Sequence, residues 1–316
     1  MPHIKRGRAA LWTAAALALT AGLLLPGPRP AAAAQPVEWV ALGDSYTAGV
    51  IEATGRVVAD DGCARTVESY PEIIRRGLGP RVHAVNVSCG GVTVENIVSK
   101  ERIPVSRPVA PGQETPEYPP TPPQISAVTA DTDLITVGVG SETLGLSGIL
   151  AECAALGHES AGLGAPCRDA FAGSVESGLS KVRVEYAEML RALHDKAPFA
   201  RVITVGYPRL VPEDPALCRF NNPLEFGTIT PEDLRWLRTA LLEPLNAEIE
   251  HAAAEAGDTH VDLYASSAGH SVCDDLGGRN WADGLQSAVP RSWAYAHPNA
   301  RGQAHAAGRV RAAILS

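Results

Sequence analysis

Gly43-Asp44-Ser45-Tyr46-Thr47-Ala48-Gly49 directly follows the apolar run Val37–Leu42. A serine hydroxyl therefore stands in a glycine-bounded turn just past a strand. Such a turn can hold the hydroxyl clear of the backbone at the edge of a sheet, where a carbonyl carbon can reach it. Gly-Asp-Ser is also ordinary turn chemistry, so the serine needs a base before it can act as a nucleophile. Histidine suits that task, because its ordinary pKa of about 6.5 lets it take and return a proton near neutrality. Of the nine histidines, His297 is set apart by Pro298, which fixes the chain just after it, and by its place before a terminal helical pattern. His270, in Gly269-His270-Ser271-Val272-Cys273, is the main competitor, but its place beside a cysteine in a glycine-containing loop suits loop shaping better. Asn86-Val87-Ser88-Cys89-Gly90-Gly91-Val92-Thr93 reads as a strand entering a paired-glycine turn, which can aim a backbone N–H at a developing oxyanion. Its plainer reading is a turn pinned by a disulfide.

Five short runs rich in valine and isoleucine could position these groups: 37–42, 82–87, 134–139, 202–205 and 260–264. They do not alternate cleanly, as expected of strands buried on both faces. Helical patterns lie between them over 67–78, 168–196 and 231–256. Strand and helix in alternation predict an α/β fold with a five-stranded parallel sheet. The last of these helices opens on Thr230-Pro231-Glu232-Asp233, a cap with proline in the first turn and acidic residues at the positive end of the dipole. Residues 99–123 carry eight prolines and read as a long surface loop of the kind that lines a site. Residues 153–167 read as a glycine- and alanine-rich excursion.

The chain has 316 residues, of which 45% are hydrophobic, enough for one large domain with its own core. Lys5, Arg6 and Arg8 precede an apolar stretch, Ala9 to Leu25, and then Ala32-Ala33-Ala34. This is the pattern of a secretory signal peptide over 1–34, with the working domain over 35–316. Loss of that leader would remove four basic residues and no acidic one, moving the formal charge from −8 to −12. An acidic surface without a Lys/Arg run, and only 5% aromatic residues, argue against a nucleic-acid partner. No coiled-coil or self-pairing signal is present, so a monomer is expected. All six cysteines follow the leader, and an even number in a secreted chain predicts three disulfides. Sequential pairing is expected, Cys63 with Cys89, Cys153 with Cys167 and Cys218 with Cys273, because each pair closes a short or intermediate loop. No Cys-x-x-Cys pair occurs, and no structural metal is expected.

Four ordered blocks, Gly43-Asp44-Ser45-Tyr46, Ser88-Cys89-Gly90-Gly91, Gly140-Ser141-Glu142-Thr143-Leu144-Gly145 and His297-Pro298-Asn299, resemble those of the SGNH (GDSL) hydrolases. The similarity is greatest to the secreted actinobacterial lipases and esterases of that family. Ser69-Tyr70-Pro71, Thr121-Pro122-Pro123-Gln124, Val205-Gly206-Tyr207-Pro208-Arg209 and the loop at Gly269 to Cys273 add to the resemblance, which spans nearly the whole chain after the leader. It implies a flavodoxin-like three-layer α/β/α fold, no cofactor, three sequential disulfides, Ser45 as nucleophile and His297 as base. It also implies an oxyanion hole from the N–H groups of Ser45 and Gly91 and an asparagine side chain of the third block. The implied partner is a small-molecule or lipid ester, with a lipid surface as its source.

Two positions depart from the family pattern. The acid expected three residues before the histidine is Ala294, so a Ser45–His297 dyad is predicted, oriented by a main-chain oxygen around Trp293 or Ala294, with Asp283 as a distant alternative. The oxyanion asparagine is replaced by Glu142, and an ionised carboxylate donates no hydrogen bond. Three arrangements follow: a protonated Glu142 that donates; a Glu142 turned aside while water, Ser141 or Thr143 substitutes; or a silenced site in a binding protein. The resemblance is also compatible with a phospholipase-like enzyme or a polysaccharide deacetylase of the same fold.

Overall fold

Five strands, β1 (Val37–Gly43), β2 (Val82–Asn86), β3 (Leu134–Gly138), β4 (Arg201–Val205) and β5 (Thr259–Val261), form one sheet in the order β2-β1-β3-β4-β5. Every pairing is parallel. The structure is a computed structural model that describes residues 1–3, 35–50, 56–104, 117–274, 277–285 and 295–316. Most of the expected leader, the middle of the proline-rich stretch (105–116), Trp293 and Ala294 lie outside the described residues. Pro36–Ser316 forms one compact unit.

Alternation along the strands separates two cores. Val40, Leu42, Ile135, Val137 and Val202 bury one face against helices α3 (Val94–Val98), α5 (Leu146–Glu159), α6 (Pro166–Lys196) and α8 (Glu243–Ala256). Trp39, Ala41, Leu134, Ile203 and Val205 bury the other against α2 (Tyr70–Leu78) and the terminal helix α10 (Ala300–Leu315). The result is the three-layer α/β/α arrangement, with the sheet covered on both sides as a parallel sheet requires. Strand order reverses between β1 and β3, and in open α/β sheets the crevice beyond the strand ends at such a point is where ligands bind. Ser45 lies immediately beyond β1.

The expected elements differ from the observed ones in identifiable ways. β2 is an edge strand, half exposed rather than buried on both faces. β5 stops at Val261 because the Asp262 side chain accepts the Ala265 N–H at 2.8 Å and starts a helical turn, α9 (Leu263–Ser266). The expected excursion over 153–167 is mostly helix, since Cys153 sits inside α5 and Cys167 in the first turn of α6. The pattern over 231–256 is one continuous rod, α7 (Pro231–Trp236) and α8 joined by a π-helical stretch over Leu237–Leu242. The three disulfides pair sequentially, 63–89, 153–167 and 218–273.

Candidate active site

Gly43, the last residue of β1, sits where no side chain fits: a Cβ there would stand 2.3 Å from Thr47 Oγ1 and 2.5 Å from Gly138 O. The Gln124 amide holds both polar groups of this residue, accepting its N–H at 2.8 Å and donating to its carbonyl at 2.9 Å. The next N–H, that of Asp44, donates to Gly138 O at 2.9 Å. These bonds tie the end of β1 to β3 and to the close of the proline-rich stretch. The chain then turns into α1 (Ser45–Ala48), capped by the Asp44 carboxylate on the Tyr46 N–H at 2.9 Å.

Ser45 Oγ lies 2.7 Å from His297 Nε2. The other imidazole nitrogen, Nδ1, lies 2.9 Å from Tyr295 O, so the tautomer that donates from Nδ1 to this carbonyl leaves Nε2 free to accept the serine proton. A backbone oxygen thus does the orienting, and the described one belongs to Tyr295. The loop that carries His297 is held from several sides. Asp283 N donates to His297 O at 3.0 Å and Ala296 N to Asp283 O at 2.9 Å. Asn299 caps α10 through Oδ1 and donates from Nδ2 to Asp283 Oδ1 at 3.2 Å. The Asp283 carboxylate is therefore spent on Asn299. Tyr46 adds a stacked contact to the imidazole, 4.7 Å between ring centres, and a hydrogen bond from its hydroxyl to Ala296 O at 2.8 Å. His270 is occupied elsewhere, with Nδ1 2.7 Å from Arg279 O and its ring stacked on Trp281.

The N–H groups of Ser45 and Gly91 have no hydrogen-bond partner among the described residues. Gly91 has φ +72°, a backbone state that favours glycine, and its turn is anchored by the Cys63–Cys89 disulfide and by Gly90 N donating to Cys63 O at 3.0 Å. The third block forms α4 (Ser141–Leu144). Its Glu142 carboxylate accepts from Ser147 Oγ at 2.9 Å, which draws it towards α5. Ser141 Oγ donates to Asp44 Oδ2 at 3.0 Å, which commits its proton, whereas Thr143 Oγ1 accepts the Val94 N–H at 2.9 Å and keeps its own proton to donate.

Asp44 is fully buried beneath these groups. Its carboxylate also accepts from the Tyr207 hydroxyl at 2.5 Å, and Tyr207 in turn accepts the Ser141 N–H at 2.8 Å. Burial pushes the Asp44 carboxyl up to about 7, against the opposing pull of the Tyr207, Tyr46 and Ser141 hydrogen bonds. This network joins the serine turn to the third block. Sequence reasoning quoted Asp44 and Tyr207 inside motifs without giving either a role, since nothing in their spacing reveals that they meet.

A cavity of about 420 Å³ opens beside His297 and runs along α5, walled by Leu146, Leu150, Ala154, Leu285 and Tyr295, with Glu142 and Ser147 on its polar side.

The profile of the GDSL-like lipase/acylhydrolase family matches residues 41–305, and this match takes in the serine turn, the glycine turn, the third block and His297. The chain belongs to the GDSL-like lipase/acylhydrolase family. This hydrolase is 32% identical to an esterase of Streptomyces scabiei over 92% of its length and 90% of that protein's. It is 31% identical to Lipase 2 of Streptomyces coelicolor, covering 87% and 84% of the two chains. Its fold matches an extracellular lipase of Streptomyces rimosus with a TM-score of 0.62 at 20% identity, over 89% of this chain and all of that one. As a member of the family the hydrolase is a lipase/esterase-type enzyme acting on esters, and its five-stranded α/β fold is the one seen in that lipase.

Proposed function

We propose that the protein is a secreted carboxylic ester hydrolase that works through Ser45 and His297 and an acyl-enzyme intermediate. The observation that carries this reading is the 2.7 Å contact between Ser45 Oγ and His297 Nε2, with Nδ1 turned to a backbone carbonyl. Ser45 Oγ attacks the ester carbonyl as its proton moves to His297 Nε2. The imidazolium returns that proton to the departing alcohol, and water then repeats the sequence to release the acid. The N–H groups of Ser45 and Gly91, without a partner among the described residues, suit the oxyanion. The cavity along α5 is apolar enough for the acyl chain and lies within the usual range for ligand sites. A basic and apolar leader over 1–34 and three disulfides support secretion.

Hydrolysis of a short and a long p-nitrophenyl ester by the mature protein tests the reading, with Ser45→Ala beside it. Turnover that Ser45→Ala abolishes is expected. Turnover of no ester by the native protein or by Glu142→Asn, together with binding of a lipid or glycan, would instead make this a binding protein. Ala154→Phe fills the cavity from its α5 wall. We expect it to lower the ratio of long- to short-ester kcat/KM by at least about tenfold, or roughly 1.4 kcal/mol, while short-ester turnover reports that the variant is folded. An unchanged ratio would place the acyl chain elsewhere.

A further inference from the structure

The proline-rich stretch delivers one side chain to the oxyanion turn. Arg102 N donates to Thr121 O at 2.9 Å and Thr121 N to Arg102 O at 2.7 Å, so the two ends of the stretch are stitched together at this residue. Asn96 of α3 donates to the carbonyls of Lys100 and Glu101 at 3.2 and 3.1 Å, which fixes the backbone just before it. The guanidinium rests on Gly91: a Cβ there would stand 2.4 Å from Arg102 Nη2 and 3.2 Å from Cζ. Arg102 Nε is buried without a hydrogen-bond partner. Its head is only partly solvated, and among the described residues no carboxylate is in contact with it. Partial burial lowers the Arg102 pKa, and the Glu142 carboxylate opposes that shift.

An arginine held half out of water without a partner is costly unless a nearby charge balances it. Here the charge that acts on it without touching it is the Glu142 carboxylate, at the third-block position where the family resemblance implies an asparagine. We propose that Arg102 is the charge-compensating residue of the oxyanion hole, placed on Gly91 to offset Glu142. This rests on the ester-hydrolase reading above. As the oxyanion forms, its negative charge sits near a carboxylate and a guanidinium together, rather than near a carboxylate alone. Glu142 and Arg102 then work as a matched pair, with the cation held by the Arg102–Thr121 backbone pairing and by Asn96.

A double-mutant cycle over Arg102 and Glu142 tests the proposal. Its readouts are kcat for a short neutral ester and the rate at which a neutral fluorophosphonate modifies Ser45. In the second reaction Ser45 Oγ bonds to phosphorus, fluoride leaves, and the hydroxyl proton passes to His297; intact mass reads the adduct and Ser45→Ala is the blank. Arg102→Gln is expected to lower both rates at least about tenfold with KM little changed, while Arg102→Lys, which keeps the charge, stays within about threefold of the native enzyme. In a Glu142→Gln background the same Arg102→Gln change should cost less than about threefold, because no carboxylate is left to offset. Equal losses in both backgrounds, or no loss in the native one, would overturn the inference. Should Arg102→Gln not fold, Arg102→Met, which keeps the apolar stem over Gly91, is held to the same criteria. Failure of the native Ser45 to react with the fluorophosphonate would overturn the hydrolase reading itself; reaction at a rate indifferent to Arg102 overturns only this inference.

Discussion

Tyr46 is next to the proposed nucleophile in the chain, yet its side chain serves the proposed base. Its ring stacks on His297, and its hydroxyl holds the carbonyl of Ala296, a non-glycine residue at φ +59°. A residue in that region sits there only when its surroundings demand it. Tyr46→Phe keeps the stack and loses the hydrogen bond, worth about 1 kcal/mol, so kcat should fall roughly fivefold with KM unchanged. A rise in KM alone would assign Tyr46 to substrate binding. Asp283 gives the opposite expectation. Its backbone pins His297 while its carboxylate faces Asn299, so Asp283→Asn should leave kcat within about threefold, whereas a loss above about 100-fold, roughly 2.7 kcal/mol, would refute a dyad oriented by a main-chain oxygen. Ser45, His297 and Gly91 could be picked out from sequence because each has a distinctive neighbour: a glycine-bounded turn, a following proline, a second glycine. Tyr295 could not, since the orienting group is a carbonyl that every residue possesses. Arg102 was equally hidden, because its meeting with Gly91 depends on how α3 and the turn held by Asn96 bring the chain back.

Among the elements, β1 and the turn after it depend on a residue from a different segment. Gln124 lies in a short 3-10 turn over Gln124–Ala127 and satisfies both the N–H and the carbonyl of Gly43 inside the protein. Gln124→Ala leaves the buried Gly43 N–H without its partner, at about 1–3 kcal/mol, while the Gly43 carbonyl keeps the Cys89 N–H at 3.0 Å. We expect a loss of about 2 kcal/mol in denaturant unfolding, together with lower kcat because Ser45 follows two residues later. A stability change below about 0.5 kcal/mol would mean that water replaces the amide. The strands and the long helices α6 and α8 were legible because buried parallel strands are continuous apolar runs and amphipathic helices repeat at their own period. Helix α5 was missed because its cysteine suggested a disulfide-closed excursion, although its alanines and leucines favour helix and only Gly148 and Gly157 weaken that preference. The extra length expected of β5 failed for a local reason, the Asp262 cap, which competes with strand continuation.

At the scale of the whole molecule, Asp44 links the chemistry of the site to the stability of the fold. It has no access to water, and it binds the serine turn to the third block and, through Tyr207, to the end of β4. Its carboxyl is raised from 3.8 to about 7 in the folded protein, chiefly by burial. In the unfolded chain the group loses its proton near pH 4, while the folded protein keeps it until about 7. Between those limits the folded state binds more protons than the unfolded state, so this contribution to stability is fully present below about pH 4 and decreases as pH rises to 7. Partly buried histidines act in the other direction: His260 and His305 are held below their ordinary pKa chiefly by that burial, so their contribution is lost as pH falls. Comparison of the native protein with Asp44→Asn cancels these shared terms. Unfolding free energies measured from pH 4 to 7 should show the native protein losing about 4 kcal/mol relative to the variant, the energy of a shift of about three pKa units. The difference should level off above pH 7, once Asp44 is ionised in both states. A difference that stays flat from pH 4 to 7 would mean that the folded protein carries Asp44 as a carboxylate throughout, with the Tyr207 and Ser141 hydroxyls outweighing burial.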